Sequence, residues 1–128
     1  MNITTLEFSS FLTYSPRGTS SVAKESRTVM SDSKNNKSIQ IKQNKILTSE
    51  YYTQKIKNMI NTLKFASYFH PKQILIPVPK SSLTKMNTLW TSKCLADALI
   101  KNGLGKNVNT CLFREFAVLK SSMCKPRD

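Results

Sequence analysis

The sequence predicts an α/β fold, a partial parallel sheet with one crossover helix. Residues 74–78 read Ile-Leu-Ile-Pro-Val, an apolar run too short for a helix and rich in β-branched residues, which indicates a buried strand. Apolar residues then recur at helical spacing from about 89 to 101, and a second strand is predicted over 108–113. Strand, helix, strand units of this kind are almost always right-handed, with the two strands parallel.

Chain length and composition limit the choice further. With 128 residues and 14.5 kDa, the chain has room for one modest core. No apolar stretch approaches the roughly 20 residues that span a bilayer, and the first residues lack the basic-then-apolar pattern of a secretory signal. We therefore expect a cytoplasmic protein that does not contact a membrane. The three cysteines, Cys94, Cys111 and Cys124, form no CxxC pair and are predicted to be free thiols.

The charge balance is strongly basic. Lys and Arg number 20 against 7 Asp and Glu, a formal net charge of +13 that attracts phosphate groups. No two acidic residues are adjacent and His70 is the single histidine, so we expect no metal site built from this chain. The Asn- and Lys-rich stretch over 33–45 is also what an A·T-biased coding sequence produces, which weakens any inference from charge alone.

The chain divides into two parts by composition. The first forty residues hold fourteen Ser or Thr, and residues 1–47 are predicted to be an irregular N-terminal segment. Residues 48–128 are predicted to form the α/β domain. Its first helix is expected from Thr48 to about Phe69, with Thr48 or Ser49 as the N-cap and Pro71 after its end.

The second helix is predicted from about Leu89 to Lys101, capped by Thr88. Its apolar stripe faces the sheet and contains Trp90, Cys94, Leu95, Ala98 and Leu99. Gly103 and Gly105 then suit the left-handed positions that end a helix and begin a turn.

Polar loops follow both predicted strands. Pro77 ends the first strand because proline cannot donate to a ladder, and the loop Pro79-Lys80-Ser81-Ser82 lies at its carboxyl end, where open parallel sheets bind ligands. Amides, hydroxyls and basic side chains in such loops hold phosphate oxygens. The candidate phosphate- or pyrophosphate-binding residues are Lys80, Ser81, Ser82, Arg114 and Lys120. The competing interpretation is ordinary surface sequence, since Lys-Ser-Ser is a common tripeptide.

Other chemistries lack support in the sequence. The run Gly-Leu-Gly-Lys-Asn at 103–107 has neither the third glycine of a dinucleotide loop nor the residues of a Walker loop. His70 lies beside a proline, and no GxSxG or recognisable catalytic cysteine is present. No catalytic residue is therefore assigned.

Several short motifs together resemble ComF-type and related type I phosphoribosyltransferases. They are Ile-Leu-Ile-Pro-Val-Pro-Lys-Ser at 74–81, Leu-Trp at 89–90 with Leu-Ala-Asp-Ala-Leu at 95–99, Leu-Phe-Arg at 112–114, and Ala-Val-Leu-Lys-Ser-Ser at 117–122. The opening Phe-Leu-Thr-Tyr-Ser-Pro-Arg-Gly at 11–18 is similar to the start of small proteins of this kind. The resemblance extends over most of the chain.

This resemblance implies a phosphoribosyltransferase-like half-domain. It would place Lys80, Ser81 and Ser82 at the pyrophosphate loop, and Arg114 and Lys120 near a second, mobile loop. The complete form would transfer a phosphoribosyl group from phosphoribosyl pyrophosphate, bound with Mg²⁺, to a nitrogenous acceptor. The family's donor-binding strand ends in two adjacent acids, which this sequence lacks, so we expect a truncated or catalytically incomplete relative that does not turn over substrate alone.

Two alternatives stay open. A small basic protein can use its charge on nucleic-acid backbones, although the sequence alone indicates no compact basic patch. A half-domain can also pair with a second copy or with a complementing chain, which would leave apolar surface exposed in the isolated chain.

Overall fold

The computed structural model describes residues 15, 17–62, 64 and 66–118, which form a mixed α/β arrangement. Its elements are α1 (Ser21–Lys34), β1 (Ser38–Ile41), β2 (Asn44–Leu47), α2 (Thr48–Met59), a 3₁₀ turn (Ala66–Phe69), β3 (Ile74–Leu75), α3 (Thr91–Lys101) and β4 (Asn107–Val108). Strands β1 and β2 form one small sheet, and β3 and β4 form the other. No helix among these residues has both the length and the apolarity needed to cross a bilayer.

The prediction of an irregular segment is wrong for residues 21–47, which contain α1 and a β-hairpin. Helix α1 starts after Ser20, whose hydroxyl oxygen accepts from the Ala23 amide at 3.2 Å. Within the helix, the hydroxyls of Ser26 and Ser33 donate to carbonyls of the preceding turn, at 2.8 and 2.7 Å. A Ser-rich composition therefore coexists with a helix, because capping and back-bonding satisfy the hydroxyls.

Strands β1 and β2 pair antiparallel, with Ile39 opposite Ile46 and Gln40 opposite Lys45. The two isoleucines are half-buried on one face, and Gln40 and Lys45 are exposed on the other. The two-residue turn starts at Lys42, whose φ is +54°. Such a turn favours glycine or asparagine, and their absence explains why the sequence did not indicate a hairpin.

Helix α2 starts at Thr48 as predicted but ends at Met59, ten residues early. Its N-cap residue is Leu47, which supplies no side-chain hydrogen bond. The Thr62 amide and hydroxyl both bond the Met59 carbonyl, each at 2.9 Å. This tight turn takes the place of a continuing helical bond and explains the early end.

The parallel pairing of β3 and β4 is confirmed, with Ile74 opposite Asn107 and Leu75 opposite Val108. Both strands are shorter than predicted, and the prediction of a buried strand is wrong. Ile74 is 52% exposed and Ile76 is 48% exposed. Leu75 points the other way and packs against the core. Burial of a parallel strand on both faces requires a covering layer on each face, and the described residues supply one.

Helix α3 confirms the predicted crossover helix. It starts at Thr91, after Trp90 as N-cap residue, so Thr88 is not the cap and Trp90 is not on the helical stripe. Among the described residues, the buried apolar cluster contains Ile56, Leu99 and Leu104. Partly buried side chains surround it, namely Ile60, Phe69, Leu75 and Leu95. The core thus lies between α2, α3 and β3.

The two glycines after α3 have different roles. Gly103 has the predicted left-handed backbone, with φ +76° and open space around it, whereas Gly105 is absent from the positive-φ residues. A β-carbon on Gly105 would lie 2.8 Å from Ile100 Cδ1 and 3.1 Å from Leu75 Cγ. Gly105 therefore allows the chain to pass close to the core.

We predict that Gly105→Ala lowers the free energy of unfolding by about 1–3 kcal/mol through overpacking. Gly103→Asn is the control, because asparagine tolerates the left-handed conformation and nothing crowds that site. Urea unfolding followed by the fluorescence of Trp90, the one tryptophan, measures both. The Gly105 loss should shrink in an Ile100→Val background, which removes the nearest atom; an unchanged loss there would contradict the crowding explanation.

Candidate functional site

A cleft of about 810 Å³ lies where the end of α1, the start of α2, the loop after β3 and the start of α3 meet. Its lining comprises Ser33, Lys34, Asn36, Thr48, Ser49, Tyr52, Val78, Lys80, Ser81, Leu89, Trp90, Thr91, Ser92 and Leu95. The first two residues of α2 and of α3 belong to this lining. The cleft thus lies at the carboxyl end of β3, where the sequence predicted a ligand site.

Side-chain hydrogen bonds hold the cleft's walls together. The Thr91 hydroxyl, at the start of α3, donates to the Lys34 carbonyl at the end of α1 over 2.8 Å. The Thr48 hydroxyl and amide both donate to the Lys37 carbonyl. The Ser49 amide donates to Asn36 Oδ1 at 3.1 Å. These bonds fix the ends of three helices relative to one another without burying much apolar surface.

The loop after β3 is anchored through one backbone carbonyl. Val78 O accepts from the indole Nε1 of Trp90 at 3.0 Å and from the Ser92 hydroxyl at 2.6 Å. Trp90 is half-buried, and its ring forms part of the cleft wall. The indole bond sets the orientation of that ring, since the indole has a single donor.

Lys80 lines the cleft and also braces its rim. Its ammonium group donates to the Thr88 hydroxyl at 3.0 Å and to the Leu89 carbonyl at 3.1 Å. An ammonium group has three N–H donors, so two internal bonds leave one donor and the full charge for a ligand.

Three of the predicted site residues come together. Arg114 Nε donates to the Lys80 carbonyl at 3.1 Å, and the Val118 amide donates to the Ser81 carbonyl at 2.9 Å. The segment that carries Arg114 therefore lies along the Lys-Ser loop, although Arg114 is not part of the cleft lining. Ser82 is exposed and is not part of the lining either. Lys120 and Cys124 lie outside the described residues.

The charged side chains of the described lining are all positive. Among the described residues it has two lysines, Lys34 and Lys80, and six Ser or Thr hydroxyl groups, and it has no carboxylate. The other lining residues are Asn36, Tyr52 and the apolar Val78, Leu89, Trp90 and Leu95. Such a cleft offers hydrogen bonds and positive charge to an anion, and an apolar wall to the remainder of a ligand.

Most lining residues were not assigned from the sequence. Thr48 and Thr91 are far apart in the chain, and Lys34 lies in the part predicted to be irregular. Thr48 and Ser49 were predicted only as N-cap candidates, and Thr91 and Ser92 fell inside the second predicted helix. The local sequence gives no signal that these residues lie beside the loop after β3.

The lining residues that the structure describes do not fit the Mg²⁺ that the sequence resemblance implies, because they supply no carboxylate. Two carboxylates, Glu50 and Asp97, line a separate cleft of about 220 Å³ together with the half-buried thiol of Cys94. No group of three potential metal ligands occurs among the residues that the structure describes.

Comparison with known proteins adds no assignment: no family model, no curated protein and no solved structure matches this chain.

We predict that Thr91→Val lowers the free energy of unfolding by about 0.5–1 kcal/mol, because the bond to the Lys34 carbonyl is lost at an exposed site. Thr91→Ser keeps the hydroxyl and is the control. Urea unfolding of both variants measures the difference. Equal stability of Thr91→Val and the parent chain would show that this bond does not hold α3 against α1.

Proposed function

We propose that the cleft binds a phosphorylated small molecule and that the chain is a phosphoribosyltransferase-like protein with phosphoribosyl pyrophosphate, or a related sugar phosphate, as its ligand. The observation that carries the proposal is the lining, whose described residues supply two lysines and six Ser or Thr hydroxyl groups without a carboxylate, at the carboxyl end of a parallel strand. The motif resemblance supports the phosphoribosyl part.

The size of the cleft favours a ligand larger than free phosphate. Small-molecule sites usually have volumes of about 300–1,000 Å³, and this cleft has about 810 Å³. The hydroxyl groups and lysines suit the phosphate oxygens. The wall formed by Leu89, Trp90 and Leu95 suits a ring, such as the sugar or an attached base.

The positive charge at the cleft also favours a phosphorylated ligand. Lys34 is exposed and its ammonium group has no hydrogen-bond or ion-pair partner among the described residues, so its charge is available at the cleft. Helix α3 starts at the cleft wall, and helix N-termini carry a partial positive charge. The net charge of +13 also raises the local concentration of anions.

The proposed role of this chain is to bind the ligand, and transfer of the phosphoribosyl group is proposed only for the complete form. In a complete enzyme, positioning of the donor and electrostatic stabilisation of departing pyrophosphate would supply most of the rate, and a nitrogenous acceptor would take the phosphoribosyl group. Magnesium would come with the ligand's own phosphates. Turnover, cytoplasmic location and pairing with a second copy or a complementing chain stay predictions.

Titration with pyrophosphate and with phosphoribosyl pyrophosphate tests the proposal, because Trp90 lines the cleft and its fluorescence reports binding. We predict that Lys34→Gln and Lys80→Gln each weaken binding roughly tenfold, the effect of losing one charge-assisted hydrogen bond. Lys57→Gln is the matched control, an exposed lysine on α2 outside the cleft lining. Lys80→Arg should retain most of the affinity.

Ligand structure separates a pocket from general charge attraction. A specific pocket should prefer phosphoribosyl pyrophosphate to sulfate and ribose 5-phosphate at 0.15 M salt, where bulk charge attraction is largely screened. An equal response to all anions, or equal losses in Lys57→Gln and Lys80→Gln, would refute the assignment of the cleft.

A further inference from the structure

The hairpin formed by β1 and β2 carries a second, separate positive surface. Residues 37–47 contain three lysines, Lys37, Lys42 and Lys45, and contain no acidic and no aromatic residue. All three lysines are exposed. One carboxylate lies near the base, since Asp32 Oδ1 is 3.8 Å from Lys37 Nζ. We call residues 37–47 the basic hairpin; the cleft lining includes none of them.

The hairpin distributes these charges along a ribbon. Lys42 lies at the turn, Lys45 lies opposite Gln40 on the exposed face, and Lys37 is level with Thr48 at the base, where the Thr48 amide donates to its carbonyl at 2.9 Å. At about 3.4 Å per residue the ribbon from Lys37 to Lys42 is about 17 Å long. The isoleucine face is half-buried, so the polar face is the one presented outward.

The dimensions of the basic hairpin fit the major groove of duplex DNA better than duplex RNA or a single strand. The major groove of B-form DNA is about 12 Å wide and admits a two-stranded β-ribbon. A ribbon of about 17 Å can therefore enter the groove while its tip and base reach phosphates on opposite sides. The major groove of an RNA duplex is too narrow for side chains to read. Binding of single strands relies on aromatic stacking, for which the basic hairpin has no residue.

We propose that the basic hairpin binds the phosphate backbone of duplex DNA, with its exposed face in the major groove. This interaction does not depend on the cleft or its ligand. Lys42 and Lys45 contact phosphates without selecting sequence, because lysine contacts to phosphate carry no base information. The Gln40 amide already donates to the Lys42 carbonyl at 3.0 Å, which further disfavours base reading by this side chain.

The test is fluorescence anisotropy with a labelled 20-base-pair duplex of mixed sequence, measured from 50 to 200 mM salt. The double variant Lys42→Gln with Lys45→Gln should bind roughly tenfold more weakly at 100 mM salt. Its plot of log affinity against log salt should be shallower by about 2, one for each lost phosphate contact. The control is Lys57→Gln with Lys72→Gln, which removes the same charge from two exposed lysines elsewhere.

Two further measurements complete the test. Circular dichroism of both double variants should match the parent chain, since the four lysines are exposed. The Lys80→Gln variant should bind the duplex as the parent does, which separates the hairpin from the cleft. Equal losses in the two double variants would reduce the effect to net charge and overturn the proposal. Tighter binding of a single strand or an RNA duplex, or no duplex binding at 50 mM salt, would also overturn it.

Discussion

The packing of α2 against α3 is the contact on which the described part of the chain depends. Its buried apolar cluster has three large side chains, Ile56, Leu99 and Leu104. Burying one such side chain contributes about 1.5–3 kcal/mol, so this core alone leaves little margin against chain entropy. The hydrogen bonds between the helix ends therefore contribute a larger share of the stability here than in a large domain. They also form the cleft, so the bonds that hold the fold together are the bonds that shape the site.

The unit of β3, α3 and β4 was predictable from the sequence, because local sequence patterns indicate its elements. The apolar run before Pro77 and the periodicity up to Gly103 each specify an element within a few residues, and a helical crossover between two neighbouring strands favours parallel pairing. The hairpin was not predictable in the same way. The two central residues of its turn, Lys42 and Gln43, are neither glycine nor asparagine, and Ser- and Asn-rich sequence is typical of loops and caps.

The cleft could be predicted only in part, for a different reason. Its Lys80 and Ser81 follow a strand and were found from that position. Lys34 and Thr91 are joined by a hydrogen bond between residues 57 positions apart, which no local pattern encodes. The exposure of Ile74 was mispredicted because burial is a property of neighbouring layers and not of the strand's own residues.

The two positive surfaces differ in what they can recognise. The cleft presents hydroxyl groups from several elements, so for the proposed ligand the arrangement of phosphate oxygens and ring would decide affinity. The basic hairpin presents exposed lysines on a ribbon, so the spacing of charges along a polymer decides affinity. Salt should weaken the second interaction more than the first, because exposed lysines alone carry the hairpin contacts, whereas uncharged hydroxyl groups carry part of the cleft contacts.

The lining also separates binding from catalysis. As formed by the described residues, the cleft has neither a carboxylate nor an imidazole, so no side chain there is suited to act as a general base near neutral pH or to hold a divalent cation. In the proposed complex, contacts from Lys80 and the hydroxyl groups would stabilise bound phosphate in the ground state as well as in the transition state. Such uniform binding lowers KM without raising kcat. Recognition of a phosphorylated ligand is therefore what this geometry supports by itself, and transfer would require an acidic group beyond the cleft's described lining.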